Sequence, residues 1–458
     1  MVILKTDGKE GKKQNAVKKP KVTFNDKEAG SYFIMGFANL VNHQIVKGLL
    51  FLFLEIAYIV FMVTKGITLI QGLYTLGTKK QGWATISGQL LPVLQKGDNS
   101  MLFLIYGIAA LVVTGLFILL YFLNLSSARQ VMMIRKSGKR PVSFRHDVHE
   151  LADGRFHVTM LSLPVLGILF FTALPIVFMI LIAFTNYDSA HQVPGNLFTW
   201  VGFSNFASLL GGNQLLSGTF GHVLAWTLVW AFFATFTNYF LGIIVALMIN
   251  KKGIRFKGMW RSILVTTIAI PQFISLLVMQ NMFNLYGPIN QLIISMGGSR
   301  IDFLGGDPAT ARIVVLLVNL WIGIPYTMLI TSGILMNIPQ ELYESAKMDG
   351  ASPIQIFFKI TLPYVLFVTA PYLITQFIGN LNNFNVIFLL TGGAPNTTDY
   401  YQAGKTDLLV TWLYKLTVNN YDYNLASTIG ILSFIICAVF SLIAYHHTSS
   451  YSKEEEFQ

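Results

Sequence analysis

Amide side chains recur inside apolar stretches of this 458-residue sequence and are its first candidates for chemistry. Gln376, Asn380 and Asn383 are spaced i, i+4 and i+7, which places them on one face of a helix. Amides both donate and accept hydrogen bonds, so this face suits a neutral, hydroxyl-rich solute such as a sugar. Amides that only hold neighbouring helices together are the alternative. Two further sets are Gln272, Gln280 and Asn284, and Asn319, Trp321 and Tyr326.

Catalytic chemistry has little support. No nucleophile–base pair, metal-ligand cluster or pair of carboxylates can be placed in one pocket, so we expect no catalytic and no metal-binding residues. Residues 404–406 (Gly-Lys-Thr) imitate the end of a nucleotide-binding loop, but Asp399 stands where its first glycine belongs. His146, His149 and Glu150 lack the H-E-x-x-H order of a zinc site.

Ionisable side chains are almost absent from the middle of the apolar stretches. Glu55 is the exception, and it is either a proton-relay carboxylate or a protonated or hydrogen-bonded group between helices. A secondary transporter normally buries such groups near the middle of the membrane. We therefore expect the driving force for transport to come from outside this chain, and keep a secondary transporter or channel as the alternative class.

Composition defines the elements that position these side chains. The chain is 53% hydrophobic and 12% charged, with a mean hydropathy of +0.58, which is typical of an integral membrane protein. About eight apolar runs are long enough to cross a bilayer as helices. They lie at 45–65, 101–123, 159–184, 222–249, 262–286, 311–336, 364–390 and 425–446.

The net charge of +11 follows membrane topology and does not indicate nucleic-acid binding. Lysine and arginine are concentrated in segments 5–21, 129–145 and 251–257, which the positive-inside rule places in the cytoplasm. An even number of spans then leaves both termini cytoplasmic. We expect the N-terminal tail, residues 1–44, to be solvated and in contact with membrane lipids, or else an untethered disordered leader.

The segment from Glu341 to Pro363 predicts a polar cytoplasmic hairpin of two short helices between spans. Pro339 suits the first helical position, Gly350 suits the left-handed end of the first helix, and Ser352 begins a capping box for the second. Its order and spacing resemble the EAA loop of ABC importer permeases, which contacts the ATP-hydrolysing subunit. The resemblance assigns this coupling role to Glu344, Ser345, Ala346, Gly350, Ile360, Leu362 and Pro363.

The chain as a whole resembles the MalF-type permeases of maltose and maltodextrin importers. The similarity is densest from Ile263 to Leu390 and includes the segments 270–275, 318–326 and 380–384. It implies an all-α polytopic membrane protein, with a six-helix permease core at 159–450 that contains the coupling loop 337–363. Two additional helices at 45–158 precede that core.

The resemblance also implies partners. These are a second, MalG-type permease, two ATPase subunits that hold ATP and Mg²⁺, and an extracellular sugar-binding protein. The connection between Asn186 and His222 is too short for a folded insertion and resembles the form found in bacteria without an outer membrane, where the binding protein is lipid-anchored. No cofactor is expected on this chain itself.

The same resemblance assigns a set of side chains to the sugar path through the membrane. Ile268 stands where the family has an aromatic residue, and Gln272 and Gln376 stand where it usually has serine. We expect an ABC permease for malto-oligosaccharides that works by alternating access, with another oligosaccharide or a polyol as the alternative solute. The assigned residues are Ile268, Gln272, Asn319, Ile322, Gly323, Tyr326, Gln376 and Asn380.

Overall fold

The chain consists of long helices with very little sheet. The computed structural model describes residues 27–84, 92–141, 143–251 and 253–446, so the predicted cytoplasmic lysine run at 5–21 lies outside them. Contacts divide the chain into two units, Met1–Phe178 and Met179–Gln458. A short antiparallel pair, β1 (Gly82–Ala84) and β2 (Val93–Gln95), places Trp83 opposite Leu94. The helices are α1 (Phe37–Val41), α2 (Ile45–Thr75), α3 (Ser100–Lys136), α4 (Phe144–Ala152), α5 (Phe156–Ile182), α6 (Ser204–Ala207), α7 (Gln214–Asn250), α8 (Lys257–Ala269), α9 (Gln272–Phe283), α10 (Pro288–Ser295), α11 (Pro308–Leu335), α12 (Gln340–Met348), α13 (Pro353–Leu390), α14 (Leu409–Val418) and α15 (Tyr423–His446).

The predicted membrane spans are confirmed in number and type. Among the described residues, 7 helices are long and apolar enough to cross a membrane, and the α8–α10 segment makes an eighth if it is counted as one broken span. The first span, α2, continues to Thr75, past the predicted end at residue 65. Close packing supports this extension, because a Cβ on Gly72 would lie 2.2 Å from Cδ1 of Phe103 on α3.

The span predicted at 262–286 is not one straight helix. Its two parts, α8 and the segment that starts at Gln272, meet at an angle of 91°. Ile270 is extended (φ −79°, ψ 129°) and Pro271 follows it. Proline disfavours helical geometry in the residue before it, which explains why the helix breaks at this point.

The expectation of a solvated tail at 1–44 is wrong for its described part. Glu28 is entirely buried and pairs with Arg135 on α3, Nε to Oε1, at 3.0 Å. Asn39 is also entirely buried. Gly36 (φ +80°) turns the chain so closely against α2 that a Cβ there would lie 2.1 Å from the carbonyl oxygen of Gly48. The partners that bury this segment are distant in sequence, so its polar composition did not reveal the burial.

In the second unit, α7 and α11 pack against each other more extensively than any other helix pair. A Cβ on Gly242 would lie 2.5 Å from Cβ of Thr327, so the missing side chain brings the two backbones together. Apolar side chains from several helices and from the loop before α14 complete a core beside this contact. Its buried members are Trp226, Trp230, Ala234, Leu276, Val314, Val315, Val318, Val386, Ile387, Leu390 and Leu408.

The polar hairpin forms as expected at its turn. Gly350 has a φ of +77°, and Ser352 and Gln355 make the capping box, with Gln355 N donating to Ser352 Oγ at 3.3 Å. Pro339 is the N-cap of α12 and not its first helical residue. The second helix of the hairpin is not short, because its apolar residues continue through a π-helical turn at Phe357–Thr361 into the membrane span.

Candidate functional site

A cavity of about 340 Å³ lies among α7, α8, α9, α11 and α13 in the second unit. None of its 19 lining residues carries a formal charge. The eight residues assigned to the sugar path from sequence all line this one cavity, although three different stretches of chain contribute them. They are Ile268, Gln272, Asn319, Ile322, Gly323, Tyr326, Gln376 and Asn380.

Helix periodicity and one helix break place these side chains. On α11, Asn319, Gly323 and Tyr326 follow the i, i+4, i+7 spacing of one face. On α13, Gln376 and Asn380 are one turn apart. The break at 270–271 ends α8 and starts α9 beside the cavity, so the ends of both helices are brought to its wall.

Asn380 and Asn383 hold helices together as well as lining the cavity. Asn380 Nδ2 donates to Thr235 Oγ1 on α7 at 2.9 Å, and Asn383 Nδ2 donates to Asn380 Oδ1 at 3.3 Å. Gln272 and Gln376 make no side-chain hydrogen bond within the described part of the chain. The side chains of the two glutamines are therefore free to bind a solute. The two asparagines line the cavity and also form hydrogen bonds with neighbouring side chains.

Two amide atoms at this cavity are buried without a hydrogen-bond partner among the described residues. Asn319 Nδ2 is an unpaired donor and Asn238 Oδ1 an unpaired acceptor. An unsatisfied buried polar atom costs about 1–3 kcal/mol, so both are suited to a ligand that donates and accepts. Asn238 approaches so closely that a Cβ on Gly323 would lie 2.0 Å from its Nδ2.

Sequence reasoning identified Tyr326 but missed Asn238 and two further aromatic residues of the wall, Tyr239 and Tyr372. Asn238 is a single amide in α7, without the periodic repeat that marked α13. Tyr372 lies one turn before Gln376, and its ring centroid is 6.1 Å from that of Tyr326 across the cavity. The one-turn spacing between Tyr372 and Gln376 on α13 was the sequence signal that could have identified Tyr372 as a lining residue. The remaining lining residues are Ala234, Thr235, Thr267, Ile270, Pro271, Thr327, Leu373 and Asn383.

Three side chains grouped with these amides from sequence lie elsewhere. Gln280 lies about two turns beyond Gln272 on α9 and does not line the cavity. Asn284 follows the end of α9, accepts from Tyr286 N at 3.1 Å and does not line the cavity either. Trp321 is 54% exposed on another face of α11. Glu55, in the first unit, accepts a hydrogen bond from Met35 N at 2.8 Å, so it is hydrogen-bonded, although to the turn before α1 and not between two helices.

The predicted coupling residues surround the hairpin turn. Glu344 and Ser345 are exposed on α12, Ala346 is half-buried, and Gly350 forms the turn. Tyr343 and Thr361 hydrogen-bond through their hydroxyl groups at 3.1 Å and join α12 to α13. The other three residues lie at the end of the π-helical turn and the start of the regular helix that follows: Ile360, Leu362 and Pro363.

Membrane-spanning helices around an uncharged cavity, with a polar hairpin between two of them, define a transport permease. Residues 238–452 match the family described as binding-protein-dependent transport system inner membrane component. The chain is 37% identical over 429 residues to the galactooligosaccharides transport system permease protein GanP of Bacillus subtilis, covering 92% of this chain and 97% of GanP. It is 34% identical over 448 residues to the maltodextrin transport system permease protein MdxF of the same organism, covering 95% and 98%. The chain therefore belongs to this family of multi-pass permeases.

A relative that matches only part of the chain and a solved structure with the same fold are also similar to this protein. The maltose/maltodextrin transport system permease protein MalF of Escherichia coli is 34% identical over 265 residues, 56% of this chain and 51% of MalF. A bacterial ABC transporter for alginate shares the fold, with a TM-score of 0.54 at 23% identity, covering 66% of this chain and 97% of the other. The predicted family is confirmed: this is a MalF-type transmembrane permease of a binding-protein-dependent importer, a transport subunit and not itself an enzyme.

Proposed function

We propose that this chain forms part of the transmembrane path of an ATP-driven importer of malto-oligosaccharides. The observation that carries the proposal is the uncharged cavity, in which Gln272, Gln376, Asn319 and Asn238 offer free amide groups beside aromatic rings. Such a wall can hydrogen-bond the hydroxyl groups of a sugar and contact its C–H faces. The names of MdxF and MalF support maltodextrin, whereas the name of GanP supports galacto-oligosaccharides as the second candidate.

The proposed complex contains a second, MalG-type permease, two ATPase subunits that bind ATP and Mg²⁺, and a lipid-anchored extracellular sugar-binding protein. We also propose that both termini of this chain are cytoplasmic, because the positive-inside rule assigns its basic segments to that side. The short connection between α5 and α7 supports a cell without an outer membrane, because it resembles the form of this permease found in such bacteria.

The hairpin is the proposed docking element for the ATPase. Its surface displays apolar side chains, among them Met348 (88% exposed) and Ile354 (70% exposed), next to the acidic Glu344. Exposed apolar side chains of this kind mark a protein interface. ATP-driven closure of the ATPase dimer would draw the hairpins together, open the spans to the outside and admit sugar from the binding protein.

Uptake of labelled maltotriose tests the solute. Cells that lack this chain and cells with it restored are compared under an excess of maltose, longer maltodextrins, galacto-oligosaccharides, raffinose or sucrose. Uptake that requires the chain and is inhibited only by α-glucans supports the proposal, whereas inhibition by galacto-oligosaccharides alone supports the second candidate. Uptake by the purified chain without ATPase, abolished by a proton uncoupler, would instead identify a secondary transporter.

The cavity is tested in the same assay with a matched pair of variants. Gln376→Leu removes a free amide from the cavity, whereas Asn281→Leu removes an exposed amide from α9 that does not line it. We expect reduced maltotriose uptake only for Gln376→Leu. Equal uptake by both variants, at equal abundance in the membrane, would contradict the assignment of this cavity to the sugar.

A further inference from the structure

The first unit contains a separate cavity of about 620 Å³ where α2 begins and where the chain continues from the end of α3 towards α4. Its position at the ends of two membrane helices places it at the membrane surface. Its wall combines a cationic guanidinium, an imidazole, amides and a hydroxyl with apolar side chains. The lining residues are Asn42, His43, Gln44, Ile45, Val46, Arg140, Pro141, Ser143 and Phe144.

The positive charge of Arg140 is not balanced by an acidic side chain in the cavity wall. Arg140 is exposed and makes no ion pair with any residue that the structure describes, and none of the nine lining residues is acidic. Three acidic groups of this unit already have cationic partners. These pairs are Asp147 with Lys47 at 3.0 Å, Glu28 with Arg135 at 3.0 Å and Glu150 with Arg155 at 2.9 Å.

The wall formed by the start of α2 is held in place by amide hydrogen bonds. Asn42 Nδ2 donates to Ala38 O at 2.8 Å, and Asn39 Nδ2 donates to Gln44 Oε1 at 2.6 Å. His43 lies between these residues with a φ of +62° and is exposed. The cavity is therefore preformed, so little conformational entropy would be lost when a ligand binds.

An apolar strip leads from the cavity along α2. Ile45 and Val46 belong to both the cavity wall and the strip, which continues about two turns further along the helix to Phe53. A ligand with a charged head and hydrocarbon chains could place the head in the cavity and its chains on this strip. The exposed fractions are 58% for Ile45, 49% for Val46, 51% for Leu49, 49% for Leu50 and 67% for Phe53.

We propose that this cavity binds the headgroup phosphate of an anionic phospholipid, with the acyl chains along the strip on α2. Arg140 provides the charge, because guanidinium groups bind phosphate oxygens through paired N–H donors. The exposed imidazole of His43 and the hydroxyl of Ser143 add polar contacts. The apolar strip favours a lipid over free phosphate, and nothing in the site depends on which solute the permease carries.

The test uses the full-length chain in nanodiscs that contain phosphatidylglycerol and phosphatidylcholine with identical acyl chains. Native mass spectrometry measures how many phosphatidylglycerol molecules remain bound to the protein after it is released from the nanodisc. One cationic side chain near a membrane surface contributes about a fivefold change in anionic lipid affinity, so Arg140→Gln should weaken binding by about that factor. Arg255→Gln is the control, since Arg255 is also exposed and basic but belongs to the other unit.

A second variant and a soluble competitor complete the test. His43→Asn keeps a residue type that tolerates positive φ, and it should weaken phosphatidylglycerol binding while the protein keeps its elution volume in size-exclusion chromatography. Glycerol 3-phosphate at millimolar concentration should leave the bound lipid in place. Three outcomes would each overturn the proposal. Arg140→Gln and Arg255→Gln could lose equal amounts of bound phosphatidylglycerol, or phosphatidylcholine could be retained as well as phosphatidylglycerol. Glycerol 3-phosphate could also displace the bound lipid completely.

Discussion

The ammonium group of Lys415 lies 2.6 Å from the carboxylate of Asp407, whose side chain is entirely buried. Asp407 also accepts hydrogen bonds from Gly404 N at 2.7 Å and from Thr411 Oγ1 at 2.8 Å. These contacts connect the loop after α13 to α14. A charge enclosed in this way depends on its partner, because water cannot replace it.

Removal of the ammonium group should therefore destabilise the second unit strongly. Lys415→Met is expected to cost about 3–5 kcal/mol, because it leaves the Asp407 carboxylate buried without a counter-charge. Thermal unfolding in detergent measures the loss, and Lys405→Met is the control, because its partner Asp399 is exposed and lies 3.5 Å away. Adding Asp407→Asn to Lys415→Met should recover part of the stability. No difference between Lys415→Met and Lys405→Met would contradict this role.

The close approach of Asn238 to Gly323 predicts energetic coupling between them. A methyl group at position 323 would displace the amide, so Gly323→Ala should cost about 1–3 kcal/mol in stability. Asn238→Ala should weaken the apparent affinity for solute by roughly threefold to tenfold, the equivalent of one hydrogen bond. In the double variant the stability cost of Gly323→Ala should largely disappear, and strictly additive costs would show that the two positions do not interact.

Substitutions in the hairpin should separate effects on the coupling of ATP hydrolysis to uptake from effects on folding. Gly350→Pro removes the N–H that donates to Lys347 O at 3.1 Å and cannot adopt a φ of +77°, so it should abolish uptake while ATP hydrolysis continues. Gly350→Ala keeps the N–H and should lose only about 1–2 kcal/mol in stability. Glu344→Lys should also uncouple hydrolysis from uptake. Both activities are measured on the reconstituted complex, and full uptake by Gly350→Pro and Glu344→Lys would refute the proposed role.

The loop after α13 also predicts a response to alkaline pH. Burial, together with a hydrogen bond to the Asp422 carboxylate at 2.8 Å, raises the pKa of Tyr401 to about 12. Because this pKa is raised on folding, the stabilisation is complete below the ordinary value of 10.0 and is lost as pH rises towards 12. Tyr401→Phe should show a smaller loss of thermal stability between about pH 9 and pH 12 than the parent chain. Identical curves for Tyr401→Phe and the parent chain would contradict the prediction.

Features encoded by neighbouring residues could be predicted from sequence. The apolar runs indicated the spans, and Gly350 with Ser352 and Gln355 indicated the hairpin turn, since a left-handed glycine and a capping box depend on local geometry. The spacing of Gln376 and Asn380 correctly placed them on one face of α13.

Features that depend on contacts between residues far apart in the chain could not be predicted from sequence. Glu28 resembles a residue of a solvated tail until Arg135, far along the chain, is placed beside it. Asn238 has no local pattern, and its position at the cavity follows from the packing of α7 against α11. The change of direction at Pro271 gave a local signal, but its size depends on the helices around it.

The neutrality of the cavity wall has a consequence for the energetics of import. Moving one elementary charge across a membrane costs or yields about 2.3 kcal/mol per 100 mV, whereas a neutral solute beside neutral side chains moves no charge at all. The membrane voltage therefore does no work on the loaded cavity. In the proposed ATP-driven importer, loss of the membrane voltage would therefore leave the energy of the loaded cavity unchanged.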